Sequence, residues 1–362
     1  MKEIFINGRF LSQPRSGTQR FAEEITTHLD QSLSDAPDPD LRITLLVPKN
    51  IKRHLELKNI QVQQVGTLKG HLWEQINLYA AARKGVLINF INSGPLLHGA
   101  AVTTFHDASV FEMPELFSFK YRLFHKILRP MLAMRALKLI TVSKFSRRQL
   151  AKAFFVSEDK FEVVPNGCDH IERHAPDDTV LADNGLTAGK YILCVGNATP
   201  NKNISAAARA YERAALDGFD FVSVGMPDGR VFGNVADDKV EMKRLRNISD
   251  NGLRALFENA AIFAFPSKYE GFGIPPLEAM RLGCPAITSR AAALPETMGD
   301  AAVLVDPDDI DAFAAEMTRL VADQSHRKEM VDRGYARSKH FEWQSSALKV
   351  RSLLETFSKE TS

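Results

Sequence analysis

The residues best suited to chemistry are concentrated in one segment, 264–278, which has the sequence AFPSKYEGFGIPPLE. An apolar run ends at Pro266, a loop follows, and the two prolines at 275–276 indicate the first turn of a helix. Backbone N–H groups at a glycine-containing turn before a helix bind anions. The carboxylates of Glu270 and Glu278 can accept hydrogen bonds from the paired hydroxyls of a sugar or ribose. The segment therefore offers donors for a phosphate and acceptors for hydroxyls.

The same two glutamates have a structural alternative. One of them would then stabilise a helix N-terminus, and the other would lie on a solvated loop. The preceding apolar run, the glycines and the prolines favour the ligand-binding interpretation.

Short β-rich runs alternate with longer amphipathic stretches in both halves of the chain, a pattern typical of βα units around a parallel sheet. The runs predict strands at 4–7, 43–47, 86–90, 102–105, 139–142 and 161–164, and then at 191–195, 219–224, 240–245, 261–265, 286–288 and 302–305. In doubly wound sheets, ligands bind beyond the carboxyl ends of the strands where the strand order reverses. The fold class predicted is α/β, with two doubly wound, Rossmann-like domains.

Domain boundaries follow from the polar, turn-rich stretch 171–189, which is typical of a linker. Residues 1–170 then form an N-terminal domain and 190–341 a C-terminal one. The last segment, 342–362, has helical spacing and is expected to return toward the first domain.

Composition excludes several classes of protein. The chain has 362 residues, of which 44% are apolar and 25% charged, which suits two globular domains at roughly 150 residues each. No apolar stretch is long enough to span a bilayer, and the N-terminus turns polar at Asn7, too early for a signal peptide. Three distant cysteines argue against a disulfide framework and a cysteine-rich zinc site. A cytoplasmic protein is expected.

The net charge of +2 hides an asymmetry between the two halves. Residues 1–170 carry 23 Lys/Arg against 16 Asp/Glu, which gives +7, and segment 116–152 holds ten Lys/Arg with no carboxylate. Aromatic residues alternate with the cations in its first part. This composition predicts contact with an anionic membrane surface, and the alternative is a pair of ordinary surface helices whose apolar stripes face the core. Nucleic acid is not expected as a partner, because no nucleic-acid-binding motif accompanies the segment.

The motifs resemble those of GT-B glycosyltransferases of the retaining GT4 group, most closely its bacterial mannosyltransferase-like branch. The E-x7-E element of Glu270 and Glu278 carries the resemblance, together with further segments in the family's order. These are GTQR at 17–20, FHD at 105–107, VSKFS at 142–146, VPNG at 164–167, the strand and loop around Gly196 and Lys202, and LPE at 294–296. The resemblance implies a GT-B fold, with the two domains facing across a cleft.

On the donor side, the resemblance implies four roles. Lys202 would pair with the donor diphosphate, and Gly17 would let the first domain's backbone approach that phosphate. Glu278 would bind the nucleotide ribose. The backbone of Phe272 and Gly273 would lie beside the donor sugar.

At the reacting centre, the resemblance implies that Glu270 holds a hydroxyl of the donor sugar and that His106 contacts the sugar near its 6-position. Asp107 completes this group. Each residue also has an alternative role that involves no ligand. Lys202 would be a solvated lysine, and Gly17 would mark the turn before a helix. His106 would be a structural histidine, and Asp107 would cap the next segment.

Two positions depart from the family's pattern. Asn201 occupies the position before the lysine where the family often has arginine, so one cation fewer faces the diphosphate unless Arg20 or Lys268 compensates. The glycine usual before the base-contacting loop is missing around 245–249. The nucleobase is therefore left open.

The reaction implied is retaining transfer of a hexose, with GDP-mannose as first candidate, to a glycan or lipid-linked acceptor in bacterial O-antigen or exopolysaccharide synthesis. UDP-sugars and dTDP-rhamnose stay open as donors, and a non-catalytic nucleotide-sugar-binding protein is the alternative of another class. No Asp-x-Asp pair suggests a metal, so neither a metal nor another cofactor is expected. The enzyme is expected in the cytoplasm, peripheral at the inner face of the cell membrane.

Overall fold

The computed structural model describes residues 3–197, 199–225 and 242–359. The chain forms two compact units, each built on its own parallel sheet. The first unit comprises Met1–Phe111, Leu123–Gly167 and Trp343–Ser362, and the second comprises Glu112–Arg122 and Cys168–Glu342.

The first unit holds a seven-stranded parallel sheet in the order β3-β2-β1-β4-β5-β6-β7. Its strands are β1 (Glu3–Asn7), β2 (Arg42–Val47), β3 (Gln61–Gln64), β4 (Val86–Asn89), β5 (Ala101–Thr104), β6 (Lys138–Thr141) and β7 (Phe161–Val163). The strand order reverses between β1 and β4, which pair in register Ile4 with Val86. β3 is the one strand here that the sequence pattern missed, because its four residues, QVQQ, are all exposed at the sheet edge.

The helices of this part of the chain follow the strands. They are α1 (Gly17–Asp35), α2 (Gly70–Leu72), α3 (Tyr79–Ala82), α4 (Ser109–Glu112), α5 (Phe119–Arg135) and α6 (Lys144–Phe154), and a π-helical stretch, Trp73–Leu78, joins α2 to α3. The inner face of α5 buries Leu128, Leu132 and Ala133 in a cluster with Phe105 and Leu139.

The second unit holds a six-stranded parallel sheet in the order β10-β9-β8-β11-β12-β13. Its strands are β8 (Tyr191–Val195), β9 (Asp220–Val224), β10 (Lys243–Leu245), β11 (Ile262–Phe265), β12 (Ala286–Ser289) and β13 (Val303–Val305). The order reverses between β8 and β11. The predicted strand 240–245 is present from Lys243, and residues 240–241 lie outside the described ranges.

Helices pack on this sheet around an apolar core that includes Ile192, Phe221, Ile262 and Phe313. They are α7 (Thr179–Asp183), α8 (Ile204–Ala214), α9 (Asp250–Asn259), α10 (Ile274–Arg281), α11 (Leu294–Met298), α12 (Ile310–Ala322) and α13 (Gln324–Ser338). Where the sequence predicted a linker, the structure has α7, whose Val180 and Leu181 are buried in the second unit. The sequence did not indicate this helix, because two apolar residues within a polar stretch are too few to form a helical periodicity.

The last described helix, α14 (Trp343–Lys359), belongs to the first unit. Trp343 is fully buried against Phe21 of α1, with the ring centroids 6.0 Å apart. Arg351 donates hydrogen bonds to the backbone oxygens of Ser32 and Ala36 at the end of α1. The helix therefore completes the core of the N-terminal unit.

Candidate functional site

The loops after β8 and β11 start from neighbouring strands at the point where the second sheet reverses its order. After β8 the chain passes through a 3-10 turn, Pro200–Lys202, into α8. After β11 it passes through residues 266–273 into α10. Because ligands of such sheets bind at this reversal, the two loops mark the candidate site of the second unit.

Lys202 and Glu270, which are 68 residues apart in sequence, meet at this reversal. Lys202 Nζ lies 2.5 Å from Oε1 of Glu270, and the ammonium also lies 5.2 Å from the ring centroid of Phe265. Their side chains are 22% and 14% exposed, so the pair can be reached by a ligand. The structure thus brings together the two residues expected at the phosphate and at the donor sugar.

Glu270 is held in place by a second donor. The hydroxyl of Ser267, a fully buried residue, donates to Oε1 over 2.6 Å. Both contacts use the same oxygen, and Oε2 is the carboxylate oxygen left to accept a hydrogen bond from a ligand hydroxyl. Ser267 was missed by the sequence analysis, although it lies inside the motif three residues before Glu270.

The loop between Glu270 and α10 depends on Gly273. Its φ of 103° lies in the region that favours glycine, and a Cβ here would approach Cδ2 of Leu294 to 2.6 Å. Pro275 and Pro276 then occupy the start of α10, where their missing N–H groups cost no helical hydrogen bond. Phe272 is 5% exposed and packs edge-on against Phe341, so its ring fixes the loop and leaves its backbone for the predicted role.

Glu278 lies in the second turn of α10 and is 6% exposed. Its Oε1 lies 2.7 Å from Nε2 of the fully buried His170. The sequence pattern indicated no role for His170, which lies directly before the predicted linker. A histidine within a polar, turn-rich stretch gives no signal of a contact with a residue more than a hundred positions away.

Asn201, the residue found in place of the family's arginine, is used structurally. Its backbone oxygen accepts a hydrogen bond from the Lys268 N–H over 2.7 Å, and the hydroxyl oxygen of Ser267 lies 2.9 Å from it. Lys268 therefore lies beside it, but its ammonium is 2.5 Å from Oδ1 of Asp308. Arg20, the other suggested substitute, lies on α1 in the first unit.

His106 and Asp107 follow β5 in the first unit. His106 Nε2 lies 3.0 Å from the backbone oxygen of Phe90, and since a carbonyl oxygen can only accept, Nε2 carries the proton and Nδ1 is an acceptor. Burial lowers the pKa of His106, so the ring is neutral at pH 7. Asp107 Oδ1 accepts from the N–H of Ser109 over 2.8 Å, which is the helix-capping contact weighed as its alternative. Gly17 is the exposed first residue of α1.

A second ion pair, which the sequence pattern did not predict, lies where the first sheet reverses its strand order. Arg9, after β1, has Nη1 2.6 Å from Oε2 of the fully buried Glu74. Glu74 also accepts hydrogen bonds from Asn7 and Ser93, at 3.0 and 2.8 Å, and its Oε2 lies 3.0 Å from Nδ1 of His71. Burial raises the pKa of Glu74, but the His71 contact and the Arg9 charge outweigh it, so the pKa lies below its ordinary value.

Comparison with known proteins places this geometry in a family. Residues 14–172 match the family described as Glycosyltransferase Family 4, and residues 181–337 match Glycosyl transferases group 1. The O-antigen chain mannosyltransferase B of Escherichia coli is 34% identical over 257 residues, which cover 68% of this chain and 67% of that protein. The chain belongs to glycosyltransferase family 4. A second similar relative is the O-antigen chain mannosyltransferase RfbU of Salmonella typhimurium, which is 29% identical and matches 70% of this chain and 71% of that protein.

Solved structures agree on the fold of this family 4 glycosyltransferase. Anabaena HepE in complex with UDP and glucose superposes with a TM-score of 0.73 at 17% identity, covering 98% of this chain and all of that one. WaaG, a glycosyltransferase involved in lipopolysaccharide biosynthesis, superposes with a TM-score of 0.66 at 14% identity, over 97% and 99% of the two chains. The two parallel sheets are therefore those of a GT-B enzyme, as the motifs predicted.

Two features of the described ranges bear on the expected partners of the glycosyltransferase. Within 3–197, 199–225 and 242–359, no helix combines the length and the hydrophobicity needed to cross a bilayer. In the same ranges, no three or more His, Cys, Asp or Glu side chains are grouped as metal ligands.

Proposed function

We propose that this enzyme transfers a hexose from a nucleotide diphosphate to a glycan or lipid-linked acceptor in bacterial polysaccharide synthesis, with retention of the anomeric configuration. The observation that carries the proposal is the contact between Lys202 and Glu270 at the strand reversal of the second sheet. It joins a cation suited to the diphosphate and a carboxylate suited to the sugar hydroxyl in one ligand-accessible place.

The charge changes of the reaction explain why these groups are needed. The glycosidic C–O bond breaks, positive charge builds on the sugar, and negative charge builds on the departing phosphate. Lys202 and the backbone N–H groups before α10 stabilise that negative charge without reorganising. The new C–O bond forms on the same face, and the acceptor's proton passes to the departing phosphate oxygen. Neither a metal nor another cofactor takes part in this proposal.

His170 is proposed to act on the donor through Glu278. The imidazole 2.7 Å from Oε1 orients the carboxylate toward the hydroxyls of the nucleotide ribose. His170 is thus a positioning residue. The first unit's predicted contacts, Gly17 at the diphosphate and His106 with Asp107 near the reacting centre, are retained from the resemblance.

GDP-mannose is the first candidate donor, since the names of the relatives in Escherichia coli and Salmonella typhimurium both specify mannosyl transfer. A UDP-sugar is the second candidate, because HepE was solved with UDP and glucose. The donor is tested by measuring the melting temperature of the full chain with GDP-, UDP- and dTDP-sugars. A donor at 100 times its Kd stabilises the protein by about 2.7 kcal/mol.

Hydrolysis and transfer assays with the stabilising donor complete the test. Lys202→Ala is compared with Lys328→Ala, a control that removes an exposed lysine from α13. The proposal requires turnover by the wild-type protein and by the control, and strong loss in Lys202→Ala. Absence of stabilisation and of turnover with every donor would refute it.

Membrane contact is proposed for one face of α5, narrower than the predicted segment 116–152. Six apolar side chains on this helix are exposed, at Phe119, Leu123, Phe124, Ile127, Met131 and Met134. The exposed cations Lys126 and Arg135 lie among them. An apolar helix face with flanking cations suits a bilayer of anionic lipids, each cation contributing about 1 kcal/mol near the surface. The enzyme would then act at the inner face of the cell membrane.

Vesicle sedimentation tests this surface. Vesicles with anionic phosphatidylglycerol should bind the protein, and binding should weaken steeply as salt screens the cations. Ile127→Glu should abolish binding, whereas Leu348→Glu, at an exposed apolar position of α14, should leave it intact. Equal binding by both variants would rule out the α5 face.

A further inference from the structure

The first unit contains a buried arginine, Arg129, in which two side-chain nitrogens have no hydrogen-bond partner among the described residues. Arg129 lies on the inward face of α5 and is 3% exposed. Its Nε and Nη1 atoms are shielded from solvent, and among the residues that the structure describes neither has a partner. Burying an uncompensated guanidinium is strongly unfavourable, so its retention requires a cause.

Other arginines of the same unit show how this fold normally satisfies such a group. Arg351 donates to two backbone oxygens at the end of α1, and Arg53 donates to the backbone oxygens of Phe10 and Gln13. Arg9 is paired with Glu74. Arg129 differs from all three, because none of the described residues accepts a hydrogen bond from its Nε or Nη1.

The surroundings of Arg129 are rich in nitrogen donors. His125 lies one helical turn earlier on the same face, and its ring centroid is 6.2 Å from that of His71. His71 in turn approaches Arg9, with Nδ1 3.3 Å from Nη1. Burial, and then the charge of Arg129, lowers the pKa of His125 to about 3. Of these two effects, the charge of Arg129 is the one that specifically disfavours another positive charge here.

Two carboxylates act in this region, those of Glu74 and Asp107, and Asp107 already accepts a hydrogen bond from the Ser109 N–H. The buried carboxylate of Glu74 already accepts from Arg9, Asn7 and Ser93. On its other side Arg129 is close enough to His106 for its charge to contribute to the lowered pKa of that ring. The charge of Arg129 therefore acts on His106 as well as on His125.

We infer that Arg129, with His125 beside it, binds a phosphate-type oxyanion of the acceptor substrate. The inference rests on the proposed function for the identity of the substrate. The Nε and Nη1 donors of Arg129 lack acceptors among the described residues, and a phosphate-type oxyanion can accept charge-assisted hydrogen bonds from a guanidinium. A diphosphate on a membrane lipid is the favoured source, because the opposite face of α5 is the exposed apolar one. A carboxylate in the acceptor glycan has the same oxyanion chemistry and is separated by the experiment.

The binding experiment uses inorganic pyrophosphate and calorimetry on the full chain. All variants carry Lys202→Ala, which removes the cation proposed for the donor diphosphate. Adding Arg129→Gln should weaken binding about tenfold or more, since a charge-assisted hydrogen bond is lost. Arg129→Lys keeps the positive charge but lacks the planar guanidinium, so it should give an intermediate loss of pyrophosphate affinity. Adding Arg83→Gln, at an exposed arginine of the same unit, should change nothing.

Thermal unfolding separates this role from a structural one. Arg129→Gln should melt at the same temperature as the wild-type protein or higher, because an unpartnered buried charge is removed. Unchanged pyrophosphate affinity in Arg129→Gln would overturn the inference. So would a lower melting temperature in both Arg129→Gln and Arg129→Lys, because Arg129 would then be a structural residue.

The source of the oxyanion is tested by transfer to one neutral acceptor glycan prepared in two forms, as a short alkyl diphosphate and as the alkyl glycoside. The ratio of kcat/KM for the diphosphate to that for the glycoside should fall about tenfold in Arg129→Gln and stay constant in Arg83→Gln. An unchanged ratio, or a loss confined to a glycan that carries a carboxylate, would refute a phosphate. If the wild-type protein transfers nothing, the proposed function fails, while the pyrophosphate titration still decides whether Arg129 binds an oxyanion.

Discussion

Each unit places an ion pair where its sheet reverses, and the two pairs differ in how they are enclosed. Lys202 and Glu270 in the second unit are 22% and 14% exposed, and one oxygen of Glu270 takes both contacts. Arg9 and Glu74 in the first unit are 10% and 0% exposed, and further donors surround the carboxylate.

The difference indicates separate roles for the same position in the fold. A partly exposed pair can exchange its partner for a ligand at little cost, because both charges can be solvated during the exchange. A buried pair cannot, since removal of one partner leaves the other charge without compensation. The pair of the second unit is therefore suited to substrate, and the pair of the first unit to holding β1, β4 and the π-helical stretch together.

The strongest test breaks the buried pair. Arg9→Met should lower the free energy of unfolding by about 3–5 kcal/mol, because Glu74 is left buried and charged. Urea denaturation measures the loss. The double variant Arg9→Met with Glu74→Met removes both charges and should recover part of the stability. A loss below about 1 kcal/mol in the single variant would contradict the contrast between the two pairs.

Breaking the partly exposed pair of Lys202 and Glu270 should lower the activity and leave the stability nearly unchanged. Lys202→Ala and Glu270→Ala should each reduce turnover strongly, and loss of the phosphate donor Lys202 should cost about 100- to 1,000-fold in kcat. The unfolding free energy of Lys202→Ala should change by less than about 1 kcal/mol. Near-normal kcat in either variant would remove that residue from the active site.

The positioning role of His170 predicts a smaller effect, confined to the donor. His170→Ala leaves Glu278 without the imidazole 2.7 Å from its Oε1, so the KM for the donor should rise about tenfold. His170→Gln, which retains a donor, should recover part of the affinity. A rise in the acceptor KM of equal size would indicate general disruption of the fold.

The cationic surroundings of the buried pair predict a pH dependence of stability. The pKa of His125 is lowered to about 3 by burial and by the charges of Arg129, His71 and Arg9, so the folded state keeps this ring neutral. Below the ordinary pKa of about 6.5 the unfolded chain binds a proton that the folded chain does not. The unfolding free energy should therefore fall by about 1.4 kcal/mol per pH unit between pH 6 and 5. His125→Gln should show a smaller slope, and an equal slope would contradict the assignment.

The sequence predicted most of the fold because strands and helices here follow strong apolar periodicity. The exceptions have physical reasons: β3 is polar and exposed, and α7 and α11 are too short for a periodic pattern to develop. In the site, Glu270 was predicted from its glycine- and proline-rich motif after a buried strand, and Lys202 from the resemblance to the family. Their direct contact was beyond the sequence, since it depends on the pairing of β8 with β11.

The residues that the sequence did not indicate share one property, which is partners distant along the chain. Arg9 and Glu74 are 65 residues apart, and no spacing rule connects them. Arg129 was counted as one cation of a basic segment. Its helical spacing from His125, together with buried Leu128 and Leu132, was the available signal that it faces the core.

The position of α14 has a consequence for how the molecule is made. The first unit is built from residues synthesised first and from a helix synthesised after the whole second unit. During translation, the first unit cannot complete its core until Trp343 and its neighbours are synthesised, and the groove along α1 stays uncovered until then. The second unit has no such delay, so it is expected to reach its native state earlier, although its codons are translated later.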